Sequence, residues 1–257
     1  MQSETMIEDN ADETPFRWRN CHADIGTWRH AQTLELLLTD VIRPGLENLG
    51  AKIVALGESD DPGDIFFQSD VEEMLNETKL TYALAIQSIW ERQFRAYVKG
   101  VARDLRPDLD LERKLEKADW NSLTGQFRRL RGIRLEAFPS FPALDTLQHL
   151  GNACRHGDGD SARILAARCP DLWKTYPPLP DAFGGPVDVP RTVALIDLPV
   201  ARLHEFVEAI ARFWRDASYI YNESIERKHE SLVKQLERER HEREWLPTIA
   251  MAEKPEA

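Results

Sequence analysis

The feature that most constrains this chain is a stripe of large apolar residues running from Val71 to Leu105. Val71, Leu75, Tyr82, Ile86, Trp90, Phe94, Tyr97, Val101 and Leu105 follow one another at helical spacing. Such a period predicts one long α-helix with a core-facing stripe and a polar outer face, which only neighbouring helices can cover. Ser69-Asp70-Val71-Glu72 fits a capping box, so the helix is expected to start there. Pro107 should end it.

The rest of the chain supplies the neighbours. Leu34, Leu38, Val41, Ile42 and Leu46 predict a helix over 28–49, which Pro44 should kink or split. Trp120, Leu123, Phe127 and Leu130 predict another within 111–132, and Leu144, Leu147 and Leu150 a third over 143–156, closed by Gly157. Asp160 or Ser161 can cap a short helix reaching about Arg168. Asp197 and Pro199 open a final long helix, 198–246, whose end from Glu237 to Glu244 is almost wholly charged. That end should either project as a solvated arm or pack on a partner. Lys52–Leu56 suits a strand or a helix, and Thr192–Ile196 could be a short strand pairing with it. The expected fold class is therefore all-α: a helical bundle with long antiparallel helices and at most one short two-stranded β element. Residues 1–27 read as an acidic, flexible lead-in and 28–246 as a single domain with an irregular proline-rich loop at 170–190. Residues 247–257 read as a disordered tail.

Composition narrows the class. With 42% hydrophobic and 30% charged residues the chain is globular rather than disordered. Its apolar runs are too short to span a membrane, and its acidic start lacks the features of a secretory leader, so a cytoplasmic location is expected. Cys21, Cys154 and Cys169 form no CxxC pair, and no phosphate-cradling glycine loop or HExxH occurs; no metal or cofactor is called for. The net charge of −11 argues against general coating of nucleic acid, yet Arg128, Arg129, Arg131 and Arg134 form a local basic cluster.

Chemistry concentrates between His149 and Ser161. His149, Asn152 and His156 are three and four residues apart, so one helix face presents all three, with Arg155 one position round. His149, His156, Asp158 and Asp160 carry metal-ligand atoms, but their spacing matches no known cage, and Asp160 is better used as a cap. A purely structural alternative is a buried hydrogen-bonded pair of Asn152 and His156.

Gly151-Asn152-Ala-Cys-Arg155-His156 resembles the motif of the HEPN superfamily of helical ribonuclease toxins and abortive-infection proteins. That motif is an arginine, often followed by asparagine, with a histidine four to six residues after the arginine. Asn152 and His156 match; Gly151 stands where the arginine would be. The resemblance implies a metal-independent endoribonuclease acting as a toxin or phage-defence effector, working as a homodimer and associated with an antitoxin or defence partner. His156 would be the acid/base, Arg155 the phosphate clamp in place of the missing arginine, and Asn152 the orienting residue. Arg128, Arg129, Arg131 and Arg134 would steer the RNA. A catalytically inactive helical scaffold or dimerisation module, binding a protein partner through the last helix, is the alternative.

Overall fold

The computed structural model describes residues 14–174, 179–180, 186–187 and 191–253. The expectations for the acidic start before residue 14, for most of the 175–190 stretch and for the last four residues lie outside them. The described chain is all-α. Its helices are α1 (Trp28–Leu37), α2 (Arg43–Gly57), α3 (Pro62–Leu105), α4 (Leu111–Glu116), α5 (Trp120–Arg131), α6 (Phe141–His156), α7 (Asp160–Arg168), α8 (Val200–Ser224) and α9 (Glu230–Glu242). Two dipeptides, Leu179–Pro180 and Pro186–Val187, pair antiparallel and are the named strands among the described residues. No helix there is long and apolar enough to cross a membrane.

Helix boundaries depart from expectation where a better terminator lies nearby. α3 starts seven residues before the Ser69 capping box, at Pro62. Asp61 accepts the Gly63 N–H at 2.8 Å and proline fills the first helical position, where its missing N–H costs nothing. Pro44 sits in the first turn of α2, and the chain reaches it through a wide π-helical turn, Leu38–Ile42. The 111–132 helix divides into α4 and α5, because Asp119 caps α5 through the Ser122 N–H at 2.7 Å. Lys52–Leu56 is helical within α2, and Val193–Leu195 is a 3₁₀ turn, so the pairing expected between them does not form. Ile196 instead bridges to Trp173.

Two compact units divide the chain. The first combines Met1–Arg29, Gln93–Phe141 and Arg212–Ala257; the second combines His30–Arg92 and Pro142–Ala211. The first unit has an aromatic core. Phe94 lies 5.3 Å from Phe127, Phe138 lies 4.9 Å from Phe213, and Tyr97 meets Trp214 edge-on at 5.4 Å. These rings are all buried.

Residues 14–27 are not a loose lead-in: Phe16, Trp18 and Asp24 are buried in the first unit. The Phe16 N–H donates to the Pro247 carbonyl at 2.8 Å and the Ile249 N–H to Thr14 at 2.9 Å, which also gives residues 247–253 a fixed place. Polar lead-in composition hid a short backbone ladder whose few apolar side chains do the anchoring.

The last helix is two helices. Lys228 donates to the carbonyls of Glu223 and Ile225 at 2.8 and 2.7 Å and so closes α8. His229 then caps α9 through the Ser231 N–H. Arg240 donates twice to the fully buried Glu223 carboxylate, at 2.8 and 2.9 Å, and Leu236 is buried. α9 is thereby tied to the end of α8 instead of projecting as an arm.

In the second unit Leu144, Leu147 and Leu150 of α6 are buried, as are Ala83, Ile86 and Trp90 of α3 and Phe206 and Ile210 of α8. Lys79 pairs with Asp197 at 2.7 Å and Asn76 donates to the Ile196 carbonyl at 2.7 Å, fixing the segment that leads into α8.

Candidate functional site

The end of α6 is built as its sequence predicts. The helix runs to His156, and Gly157 takes the left-handed conformation, φ +73°, in which its N–H reaches the Ala153 carbonyl at 2.8 Å. Leu147, Leu150 and Ala153 fill the buried face. Asn152 is half-buried, while Arg155 and His156 are exposed. Among the described residues neither the Asn152 amide nor the His156 imidazole makes a hydrogen bond, so the buried Asn152–His156 pair does not form. His149 is more engaged: its ring lies 3.4 Å from Ser161 Oγ and 3.7 Å from Asp145. Burial holds its pKa below the ordinary histidine value, with Asp145 opposing and Arg168 assisting.

Arg155 is held by groups that sequence reading missed. One of its terminal N–H groups donates to Gln87 Oε1 and also to Ser88 Oγ, the latter at 2.9 Å. Gln87 is fully buried on α3 and uses every polar atom of its amide. Its oxygen accepts from Arg155, and its NH₂ donates to Gln148 Oε1 at 2.9 Å and Glu91 Oε2 at 3.0 Å. The clue was present in the sequence: Gln87 interrupts an otherwise apolar stripe, and Gln148 sits beside Leu147 on a core face. A buried amide on an apolar stripe requires a polar partner opposite.

The same amide explains Gly151. A Cβ there would lie 2.6 Å from Gln87 Cγ and 2.9 Å from its Cδ, closer than any real contact. Glycine lets the two helices share this layer, and an arginine cannot occupy it. The guanidinium of this helix end therefore comes from Arg155 alone. Both acceptors that hold it are neutral, and among the described residues Arg155 forms no ion pair.

The basic cluster is a different matter. Arg131 cannot contact RNA: it is 2% exposed and bonded to Asp24, to Tyr97 Oη at 2.7 Å and to the Arg19 carbonyl at 2.9 Å, with its guanidinium over the Trp18 ring. The α5 stripe points it inward with Leu123 and Phe127, and Asp24 compensates its charge. Arg128 and Arg134 both grip the Glu253 carboxylate. Arg129 is exposed. All four belong to the first unit, whereas Asn152, Arg155 and His156 belong to the second.

The remaining ligand-type residues are structural. Asp158 accepts the Val193 N–H at 2.6 Å and Asp160 pairs with Arg163, while Gly159 takes the N-cap of α7. No cluster of three histidine, cysteine or acidic side chains suited to a metal ion occurs among the described residues. Compared with known proteins, the chain matches no protein family, no curated protein and no solved structure.

Proposed function

We propose that this chain is a metal-independent endoribonuclease of the HEPN-like kind, acting at the end of α6. The observation that carries the reading is Arg155: a guanidinium fixed by two neutral acceptors, with no ion pair among the described residues, next in sequence to an exposed His156. A guanidinium so prepared suits a phosphate oxygen, because its position is set without its charge being spent. His156 would take the proton of a ribose 2′-hydroxyl as that oxygen attacks the neighbouring phosphorus; the bond to the 5′-oxygen breaks, that oxygen takes a proton from water, and a 2′,3′-cyclic phosphate and a 5′-hydroxyl result. Asn152, one turn back on the same face, can orient the substrate. A toxin or defence role, a homodimeric active form and an antitoxin-type partner belong to this proposal.

The test is cleavage of mixed single-stranded and structured RNAs by the wild type, His156→Ala and Arg155→Gln, each with a chelator present. Cleavage by the wild type, lost on either substitution with the helical circular dichroism intact, is the expected result. Absence of cleavage by the wild type on every RNA ends the proposal.

One observation favours the alternative, a helical module that binds a protein. Phe66 is 78% exposed and Ile65 63%, neighbours in sequence near the start of α3. Apolar groups this large rarely sit together in water without a use. Phe66→Asp should then change the oligomeric state measured by light scattering, while His156→Ala leaves it unchanged.

A further inference from the structure

Within the second unit, α6 and the start of α7 bring together a carboxylate, an imidazole and a hydroxyl that the ribonuclease proposal does not use. Asp145 and His149 lie one turn apart on the same face of α6. The chain then turns back. Gly157 takes φ +73°, the Gly159 N–H reaches the Gly157 carbonyl at 2.8 Å, and α7 opens at Asp160. That turn sets Ser161 Oγ 3.4 Å from Nδ1 of the His149 ring, whose Nε2 lies 3.7 Å from Asp145 Oδ1. The other Asp145 oxygen is held by Arg168, the last residue of α7. Hydroxyl, imidazole and carboxylate thus stand in series, with the carboxylate itself fixed by a guanidinium. Ser161 Oγ is not spent on capping α7, whose N-cap is Gly159. Its one hydrogen-bonding neighbour among the described residues is His149.

We propose that Ser161, His149 and Asp145 form a serine-esterase site acting on carboxylic esters with a small acyl group. Asp145 favours the tautomer that carries its proton on Nε2, which leaves the Nδ1 lone pair facing Ser161 Oγ. Burial keeps the His149 imidazole neutral to a lower pH than an ordinary histidine, and neutral is the form a base needs. In the first step Oγ attacks the carbonyl carbon of the ester while Nδ1 takes the hydroxyl proton. Nδ1 then gives that proton to the alcohol oxygen as its bond to the acyl carbon breaks, leaving an acyl-serine. Water, deprotonated by Nδ1, attacks the acyl carbon next; the bond to Oγ breaks, Oγ recovers the proton and the carboxylic acid departs. In both attacks the carbonyl oxygen gains negative charge beside the first turn of α7. There the N–H groups of Ser161 and Ala162 have no acceptor one turn back within the helix. The side chains of His149 and Asp145 are 20% and 23% exposed, so an ester reaches the row from the surface, which suits a short acyl chain. None of the three residues has a part in the ribonuclease proposal.

Covalent labelling of the full chain by a fluorophosphonate at pH 8, read by intact mass and by the mass of the labelled peptide, tests it. Such a probe phosphonylates a serine whose hydroxyl is activated, and fluoride leaves. The wild type should take up one probe per chain, on the peptide that holds Ser161, and should hydrolyse p-nitrophenyl acetate until it is labelled. Ser161→Ala, which removes a single oxygen atom, should abolish both. His149→Gln and Asp145→Asn should each slow labelling by about a hundredfold, with the helical circular dichroism intact. The proposal is overturned if the wild type takes up no probe or if the label lands on another residue. It is equally overturned if Ser161→Ala, or His149→Gln with its helicity intact, is labelled as fast as the wild type. Labelling has no counterpart in RNA cleavage, so the failure of either proposal is told apart from the failure of the other.

Discussion

At Gly151 one missing side chain decides what the neighbouring residues can be. Because Gln87 fills the space a Cβ would need, Gly151→Ala must push two helices apart or turn the Gln87 amide away from Gln148 and Arg155. Overpacking of this sort costs about 1–3 kcal/mol, read as a lowered midpoint in urea unfolding. Gly151→Arg, which restores the literal HEPN motif, should unfold the second unit rather than raise nuclease activity. Thermal melting and RNA cleavage measured on the same preparation would separate those outcomes. Cys154, three residues on, is not a competing nucleophile. Burial, reinforced by the Glu77 charge, pushes its thiol up to about 11. At pH 8 its alkylation by iodoacetamide should be about a hundredfold slower than that of an exposed cysteine, which peptide mass spectrometry can follow.

Helices with strong periodicity were legible in sequence, and several of their starts and breaks were not. The α3 stripe and the closure of α6 by Gly157 followed from spacing and from a single conformational rule. The start of α3 did not, because two N-terminal signals lay seven residues apart and their ranking depends on what the first two turns face. The 198–246 stretch looked continuous for a similar reason. Its charged end has helical propensity throughout, and the break is made by Lys228 reaching back to α8 carbonyls, a contact with no periodic signature. Within the candidate site, Asn152, Arg155 and His156 were found through their spacing on one element, whereas Gln87 and Gln148 become partners only once α3 and α6 meet. The Arg128–Arg134 cluster shows the reverse failure, since a run of like charges in sequence says nothing about which side chain turns inward. The α8–α9 junction yields its own expectation. Arg240→Ala would leave the fully buried Glu223 carboxylate without its guanidinium, a loss on the order of 3 kcal/mol. Limited proteolysis after the basic residues of α9 should accelerate in that variant ahead of any cleavage in α6.

For the molecule as a whole, stability should carry the signature of one acid buried against its interest. Asp216 is 3% exposed; one oxygen is held by Arg243, while the other is buried with no partner among the described residues. Burial therefore outweighs the pull of Arg243, Arg212 and Arg215 and pushes its pKa up to about 6. Unfolding returns this carboxyl to an ordinary value near 4. Between those two pH values the native chain keeps a proton that the unfolded chain has released, so the contribution of Asp216 to stability is full below about 4. It is lost as the pH rises through about 6, a change of up to about 3 kcal/mol. Asp216→Asn stays neutral at every pH, so the stability of the wild type relative to it is greatest in acid. As the pH rises to 7, the gap between the two proteins should narrow by the amount the wild type loses. Chemical denaturation of wild type and Asp216→Asn at half-unit steps from pH 4 to 7 checks this directly. A stability difference that stays constant across the range would mean that Asp216 is ionised throughout and that Arg243, not burial, governs it.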